Sequence, residues 1–137
     1  MTDVTGFGLL GHLIEMAEGS SLSAELYYSQ IPIITGAKEY LIQKISPGAT
    51  FRNWNSYGDK VNFEKGVNIT EASSLLPDPQ TNGGLLIAVE ASAVNEIKEI
   101  FTKYNLDKFA EPIGRFTPAK ENVLIVKKEN IIEMKKQ

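Results

Sequence analysis

The stretch TDVTGFGLLGHLIEMAEGSS, residues 2–21, determines the first structural element of the chain. From Phe7 onward its apolar residues recur at intervals of three and four, which is the spacing of one helical face. A glycine and two serines at 19–21 then interrupt this pattern, as expected after the end of a helix. We therefore predict a first helix that begins near Phe7 and ends at Gly19, with Gly6 and Gly8 flanking its start.

Two interpretations of the start of this helix remain open. The first amides of a helix have no intrahelical partner and lie at the positive end of the helix dipole, so a phosphate can bind there. Asp3 precedes Gly6 closely and offers a hard oxygen ligand of the kind that Mg²⁺ prefers. These features suggest a metal-nucleotide site. Alternatively, Gly6 and Gly8 only cap and pack the helix, and Asp3 is a solvated charge.

The same stretch also matches the dinucleotide-binding pattern G-x-G-x-x-G, with Gly6, Gly8 and Gly11 as its glycines. Glu25 then lies close to the position of the acid that binds a ribose in such domains. That pattern requires a strand that runs straight into the glycine turn, and only residues 1–5 precede Gly6. We therefore treat an NAD-binding Rossmann domain, which also needs a parallel sheet, as the weaker alternative.

A second stretch, LPDPQTNGGLL at residues 76–86, places turn-forming residues directly before an apolar run. Its prolines restrict the backbone, and Asn82, Gly83 and Gly84 tolerate positive φ. A hairpin turn is one interpretation, because Asn-Gly between apolar runs is a strong turn signal. The other is a rigid loop at the entrance of a strand, which offers backbone amides and the Thr81 hydroxyl to an anion or to a partner domain. The residues favour neither.

The rest of the chain predicts an α+β domain, with helices layered on a mixed, largely antiparallel β-sheet. Helices are predicted at 33–45 and 94–104, and strands at 23–28, 85–89, 109–116, 123–126 and, after a hairpin at 129–130, 131–134. The run at 85–89 is continuously apolar, which is typical of a buried strand. For the helix at 94–104 we expect Ser92 to cap the start and Asn105 to close the end.

The segment between Gly48 and Pro79 gives the weakest pattern, because its apolar residues keep no single period for long. We predict a long irregular excursion there. A short helical turn at 70–76, capped by Thr70, is the one regular element expected within it. The sequence does not indicate what residues 48–68 do.

Composition restricts the function classes. The 137 residues are 42% hydrophobic and 23% charged, as in a single globular domain. The net charge of -3 argues against a nucleic-acid surface, and the absence of cysteine excludes disulfides, thiolate metal sites and a thiol nucleophile. The single histidine, His12, is expected to be a packing or hydrogen-bonding residue. No run spans a bilayer and no signal peptide is evident, so we expect a cytoplasmic protein without membrane contact.

The stretches TDVTGFG and LGH at residues 2–8 and 10–12, together with DPQTNGGLL at 78–86, resemble the two signature stretches of the C-terminal half of selenophosphate synthetases (selenide, water dikinases). These enzymes belong to a superfamily with aminoimidazole ribonucleotide synthetase. The resemblance extends over the whole chain, although between Gly19 and Leu75 it rests on layout more than on motifs. Asn82 stands where the family usually has a serine.

This resemblance implies that residues 1–137 form a single C-terminal domain, with the α+β fold of aminoimidazole ribonucleotide synthetase-like enzymes. The abrupt start of the motif after Met1 fits a piece of a two-domain enzyme whose N-terminal half is absent. Such enzymes act as homodimers with Mg²⁺ and convert selenide, ATP and water to selenophosphate, AMP and phosphate. The rival hypothesis is a non-catalytic binding or regulatory module of the same fold.

The resemblance also implies roles for individual residues. Asp3 matches an aspartate that helps to hold the metal ions at the ATP phosphates. The residues expected to contribute to nucleotide binding are Thr5, Gly6, Gly8, Thr81, Gly83 and Gly84. The reactive groups of the family lie in the N-terminal half, so no catalytic residue is expected here and the isolated chain is expected to be inactive.

Overall fold

The computed structural model describes residues 1–129 of the chain. The helices of this part are α1 (Gly8–Gly19), α2 (Ala37–Ile42), α3 (Gly48–Tyr57), α4 (Ile69–Leu75) and α5 (Val94–Lys103). The strands are β1 (Thr2–Asp3), β2 (Leu22–Tyr27), β3 (Val61–Phe63), β4 (Leu85–Leu86), β5 (Gly114–Pro118) and β6 (Leu124–Lys127). The strand predicted at 131–134 lies outside the described residues. No helix within residues 1–129 combines the length and the apolar character that crossing a bilayer requires.

The main sheet has the strand order β3-β6-β2-β5, and β1 and β4 form a separate antiparallel pair. Helices with a mixed sheet confirm the predicted α+β class. Within residues 1–129, antiparallel pairs do not dominate the main sheet as expected, because β2 and β5 run antiparallel while β6 is parallel to both β2 and β3. Parallel neighbours need long crossover connections, and the helices between β2 and β6 provide them.

The core lies between α1 and one face of the main sheet. Side chains alternate along a strand, so Ala24 and Leu26 of β2 face the core while Glu25 faces the other side. Leu124 and Val126 of β6 extend the same buried layer. The helix predicted from Phe7 to Gly19 is confirmed as α1, and it buries the apolar face that the sequence pattern indicates: Leu10, Leu13, Ile14 and Ala17.

The prediction of an irregular segment between Gly48 and Pro79 is wrong. This region contains α3, β3 and α4. The buried face of α3 carries Thr50, Asn53 and Tyr57, whereas Phe51 is 73% exposed. An apolar periodicity cannot reveal a helix whose inward face is largely polar.

The short helix predicted at 70–76 is present as α4, but its cap is a different residue. Asn68 precedes the helix, and its side chain accepts a hydrogen bond from the Glu71 amide. Thr70 lies inside the first turn, where its carbonyl accepts a hydrogen bond from the Ser74 hydroxyl. The expected Thr70 cap is therefore wrong, because the helix begins earlier than the apolar pattern suggests.

The segment 85–89, which was expected to form a buried strand, differs most from expectation in its burial. Only Leu85 and Leu86 of the predicted strand pair with another strand, and Leu85 is 63% exposed. The reason is that, in the part of the chain that the structure describes, β4 pairs only with the two-residue strand β1. The strand predicted at 109–116 begins only at Gly114, since a 3₁₀ turn occupies Asp107–Phe109.

The helix ends that the sequence predicted are partly confirmed. Asn105 adopts a left-handed φ of 57° after α5 and so closes that helix as expected. Ser92 does not cap α5, because it lies within a 3₁₀ turn and Ala93 occupies the cap position. The helix predicted at 33–45 is shortened to α2, which begins after Gly36 at a φ of 87°.

Candidate functional site

The two signature stretches form one backbone unit. Strand β1 of the first stretch pairs with β4 of the second, and Asp3 lies opposite Leu85. The Val4 amide donates to the Gly84 carbonyl at 2.8 Å, and the Gly83 amide donates to the Val4 carbonyl at 2.8 Å. The second stretch connects α4 to a strand that pairs with β1, so the hairpin interpretation is wrong and the stretch is a loop at the entrance of a strand.

Glycines at two positions allow this close approach. A Cβ at Gly8, whose φ is +69°, would lie 2.7 Å from the Pro77 carbonyl carbon. A Cβ at Gly83 would lie 2.8 Å from the Val4 carbonyl oxygen. Real Cβ atoms do not approach backbone atoms so closely, and the left-handed φ at Gly8 adds strain for any larger residue. The loops therefore meet only because these residues lack side chains.

The other two glycines that are predicted to bind nucleotide, Gly6 and Gly84, border open space. A Cβ at Gly6 or at Gly84 would meet no other atom within 4 Å. Thr81 is exposed, and Asp3 presents its carboxylate on the exposed side of β1. The structure thus leaves Asp3, Gly6, Thr81 and Gly84 accessible at the junction of the two stretches.

The start of α1 is already hydrogen-bonded within the chain at two amides. The Gly8 amide donates to the Thr5 carbonyl at 3.0 Å, and the Leu10 amide donates to the Leu76 carbonyl at 3.3 Å. An anion at this point would therefore rely on the remaining amides and on the adjacent loops. Among residues 1–129, no three histidine, aspartate or glutamate side chains gather as a metal site, so Asp3 is not part of a cluster of that kind.

His12 fixes the loop that carries Asp3. Its buried ring accepts a hydrogen bond at Nε2 from the Thr5 amide at 3.1 Å, and the Thr5 hydroxyl lies 3.2 Å from the same atom. A backbone amide can only donate, so Nε2 carries no proton and the neutral ring holds its proton on Nδ1. Nδ1 lies 3.6 Å from a carboxylate oxygen of Glu15. The hydrogen bond that Nε2 accepts from the Thr5 amide gives His12 the hydrogen-bonding role that is expected of a lone histidine.

Helix α3 contacts both signature stretches through polar side chains that the sequence analysis missed. Asn53 Nδ2 donates to the Gly6 carbonyl at 2.8 Å and to the Pro77 carbonyl at 2.9 Å. The Tyr57 hydroxyl donates to the Phe7 carbonyl at 2.6 Å. The available signal was the spacing of Thr50, Asn53 and Tyr57, which is that of one helical face but is not apolar.

Glu25 has a structural role that excludes the ribose-binding one. It is 3% exposed, and its carboxylate contacts Arg115 at 2.8 Å and both Lys120 and Lys127 at 3.2 Å. Burial alone would raise the pKa of Glu25, but the hydrogen bonds from Arg115, Lys127 and Lys120 outweigh it and lower the pKa to about 2. Moreover, β1 lies outside the main sheet, so the Rossmann alternative is wrong.

Comparison with known proteins agrees with the sequence motifs. Residues 1–127 match the family described as "AIR synthase related protein, C-terminal domain". The "Selenide, water dikinase" of Haemophilus influenzae (strain 86-028NP) is 47% identical over 126 residues, which is 92% of this chain and 35% of that protein. The protein of the same name from Photobacterium profundum is 42% identical over 127 residues, or 91% of this chain and 35% of that protein.

These matches confirm the resemblance to selenophosphate synthetases that the two stretches indicated. They also show that the chain spans about a third of the length of the curated relatives it matches. Together with the mixed α+β fold and the paired signature stretches, the match over residues 1–127 establishes that this chain belongs to the AIR synthase related protein, C-terminal domain family.

Proposed function

We propose that this chain is the C-terminal domain of a selenide, water dikinase and supplies one wall of that enzyme's Mg-ATP site. The pairing of the two signature stretches supports this proposal most directly, because it places Asp3 on the strand next to the loop at 81–84. The relatives that carry the enzyme's name are 41–47% identical to the chain. In the proposed enzyme, selenide, ATP and water yield selenophosphate, AMP and phosphate.

Asp3 is the residue proposed to hold metal. Its exposed carboxylate offers oxygen, which is the ligand atom that Mg²⁺ prefers, and bound Mg²⁺ would neutralise phosphate charge during phosphoryl transfer. One aspartate is too few for the metals of a triphosphate, so the remaining ligands and the reactive groups belong to the other part of the enzyme. We propose that part, ATP and a second copy of the enzyme as the partners of this domain in the cytoplasm.

The predicted nucleotide-binding residues divide into two groups under this proposal. Gly6, Thr81 and Gly84 border open space and form the surface that faces the phosphates. Gly8 and Gly83 act indirectly, because their missing side chains let the two loops close on each other. Thr5 links these groups, since its amide contacts His12 and its carbonyl accepts a hydrogen bond from the Gln80 amide at 3.1 Å.

The test is Asp3→Ala in the full-length enzyme, with selenide-dependent AMP formation measured across Mg²⁺ concentration. We expect turnover at limiting Mg²⁺ to fall by about tenfold or more, because losing one charged ligand weakens metal binding by an amount of this order. Asp59→Ala is the matched control, since Asp59 is also an exposed aspartate and belongs to neither of the two stretches. Unchanged turnover at every Mg²⁺ concentration would contradict the metal assignment.

One observation favours the alternative of a non-catalytic binding or regulatory module. The amides of Gly8 and Leu10 are hydrogen-bonded within the chain, which leaves fewer donors for a phosphate at the start of α1. This alternative predicts that Asp3→Ala leaves AMP formation unchanged. It further predicts that ATP affinity of the full-length enzyme does not depend on Gly6, which Gly6→Ala would measure, because a Cβ at this position meets no other atom within 4 Å.

A further inference from the structure

We propose that Asn53 is a positioning residue that holds the two signature stretches in register and thereby places Asp3. Asn53 lies in the middle of α3 and is 8% exposed. Its Nδ2 donates to the Gly6 carbonyl at 2.8 Å and to the Pro77 carbonyl at 2.9 Å. A side-chain amide nitrogen has two hydrogens, so this group uses both of them to join one stretch to the other.

The neighbours of Asn53 on the same face of α3 extend this arrangement, and we call Thr50, Asn53 and Tyr57 the α3 clamp. The Tyr57 hydroxyl donates to the Phe7 carbonyl, in the first stretch. The Thr50 hydroxyl donates to the Asp78 carboxylate at 3.0 Å, in the second. Thus Asn53 contacts both stretches, and each flanking member of the clamp contacts one of them.

A polar face allows α3 to pack against these loops. The carbonyls of Gly6 and Pro77 belong to turns and receive no backbone hydrogen bond from a strand or helix ladder in residues 1–129. The Asn53–Pro77 hydrogen bond is buried, whereas Gly6 is exposed. An apolar side chain at position 53 would therefore leave the buried Pro77 carbonyl without a donor, which is costly. The chain therefore places an amide donor at the point where the loops meet.

The consequence for Asp3 follows from the short distance along the chain. Asp3 is separated from the clamped Gly6 by Val4 and Thr5, and both of these residues hydrogen-bond to the second stretch. Fixing the Gly6 and Pro77 carbonyls therefore fixes the position of β1 relative to the loop at 81–84. The effect on metal binding rests on the proposed function, whereas the effect on the loops does not.

The first experiment measures the loops directly in the 137-residue chain. Asn53→Asp replaces the two donor hydrogens by a carboxylate oxygen that faces two carbonyls, while side-chain size is preserved. We expect hydrogen exchange at the Val4 and Gly83 amides to accelerate by about tenfold or more, with the Ala24 amide of the main sheet much less affected. The exposed Asn55, on the same helix, provides the matched control Asn55→Asp.

Exchange at Val4 and Gly83 that is unchanged, or that rises equally with exchange at Ala24, would overturn the proposal. Should Asn53→Asp fail to fold, Tyr57→Phe makes the same comparison, because it removes only the hydroxyl that donates to Phe7. It should accelerate exchange at Val4 and Gly83 by a smaller factor, and Tyr40→Phe, at an exposed tyrosine, should not. Equal exchange in these two variants would count against the clamp.

The second experiment measures the consequence in the full-length enzyme. We expect Asn53→Asp to raise the Mg²⁺ concentration for half-maximal turnover several-fold, and Asn55→Asp to leave it unchanged, at a temperature where both variants stay folded. If exchange accelerates but neither Asp3→Ala nor Asn53→Asp alters the Mg²⁺ dependence, the clamp stands and the proposed function fails. If exchange does not accelerate, the clamp fails whatever the Mg²⁺ dependence.

Discussion

Glu25 shows how a single buried charge is accommodated in this fold. Its carboxylate lies on the side of β2 that faces away from the α1 core, where cross-strand neighbours can reach it. Arg115 stands directly opposite on β5, and Lys127 extends from β6. A buried carboxylate is tolerable only when such partners replace its lost hydration. The charge cluster therefore holds β5, β2 and β6 together on the face opposite the main core.

The first prediction concerns the pH dependence that this cluster creates. The pKa of Glu25 is about 2 in the folded chain, below its ordinary value of 4.5. Because the folded-state pKa is the lower one, the stabilisation is fully present above pH 4.5 and is lost as pH falls toward about 2. We expect Glu25→Gln to lower the free energy of unfolding at pH 7 by about 1–3 kcal/mol, a range that allows for the partly exposed Arg115 and Lys120.

Urea unfolding of both proteins between pH 7 and pH 2.5 is the measurement. The difference in unfolding free energy between the wild type and Glu25→Gln should shrink steadily below pH 4.5. Glu121→Gln, at an exposed position, is the matched control and should leave stability nearly unchanged at every pH. A Glu25→Gln difference that stays constant as the pH falls would show that the charge of Glu25 is not what stabilises the sheet.

At the scale of elements, sequence periodicity predicts those helices whose buried face is apolar and misses those whose buried face is polar. Helix α1 could be predicted because its inward residues are hydrophobic and regularly spaced. Helix α3 could not, since its inward face is the α3 clamp. The apolar run at 85–89 predicts a buried strand, but apolar character does not reveal which partner a strand will find, and Leu85 is exposed.

The same contrast applies to the candidate site. The motif residues around Asp3 and Gly83 could be found because turn-forming residues and glycines stand out in a sequence. Their mutual pairing could not be derived from the residues, because it is a contact between distant parts of the chain. The contribution of Asn53 could not be derived from the sequence either. One asparagine in a polar segment does not indicate a structural role until its partners, the Gly6 and Pro77 carbonyls, are known.

The second prediction tests where helix α4 begins. Asn68 accepts a hydrogen bond from the Glu71 amide, whereas Thr70 lies within the helix and caps nothing. We expect Asn68→Ala to lower the free energy of unfolding by about 1 kcal/mol, the usual cost of a lost cap. Thr70→Ala should change it by no more than about 0.5 kcal/mol, because alanine is the better helix former.

Thermal unfolding of the two variants beside the wild type distinguishes these positions. The two substitutions are separated by a single residue, so they share the same surroundings and differ in their place at the helix end. A larger loss for Thr70→Ala than for Asn68→Ala would mean that α4 begins later than Ile69.

At the scale of the whole molecule, the chain completes a core but not a metal site. The core between α1 and the main sheet is closed by residues of this chain alone. By contrast, no three histidine, aspartate or glutamate side chains gather as a metal site within residues 1–129, and Asp3 therefore belongs to no such cluster. Folding and the proposed chemistry therefore make different demands on the chain.

The third prediction follows from this difference. We expect the purified 137-residue chain to unfold cooperatively, because its buried core does not depend on a partner. We also expect it to form no AMP from ATP, selenide and Mg²⁺ under conditions in which the full-length enzyme does, since a single carboxylate cannot assemble the cations that phosphoryl transfer needs. Chromatographic assay of AMP, with the full-length enzyme as the positive control, measures this. Selenide-dependent AMP from the isolated chain would place the reactive groups within these residues, whereas a broad, non-cooperative transition would mean that the core needs the rest of the enzyme.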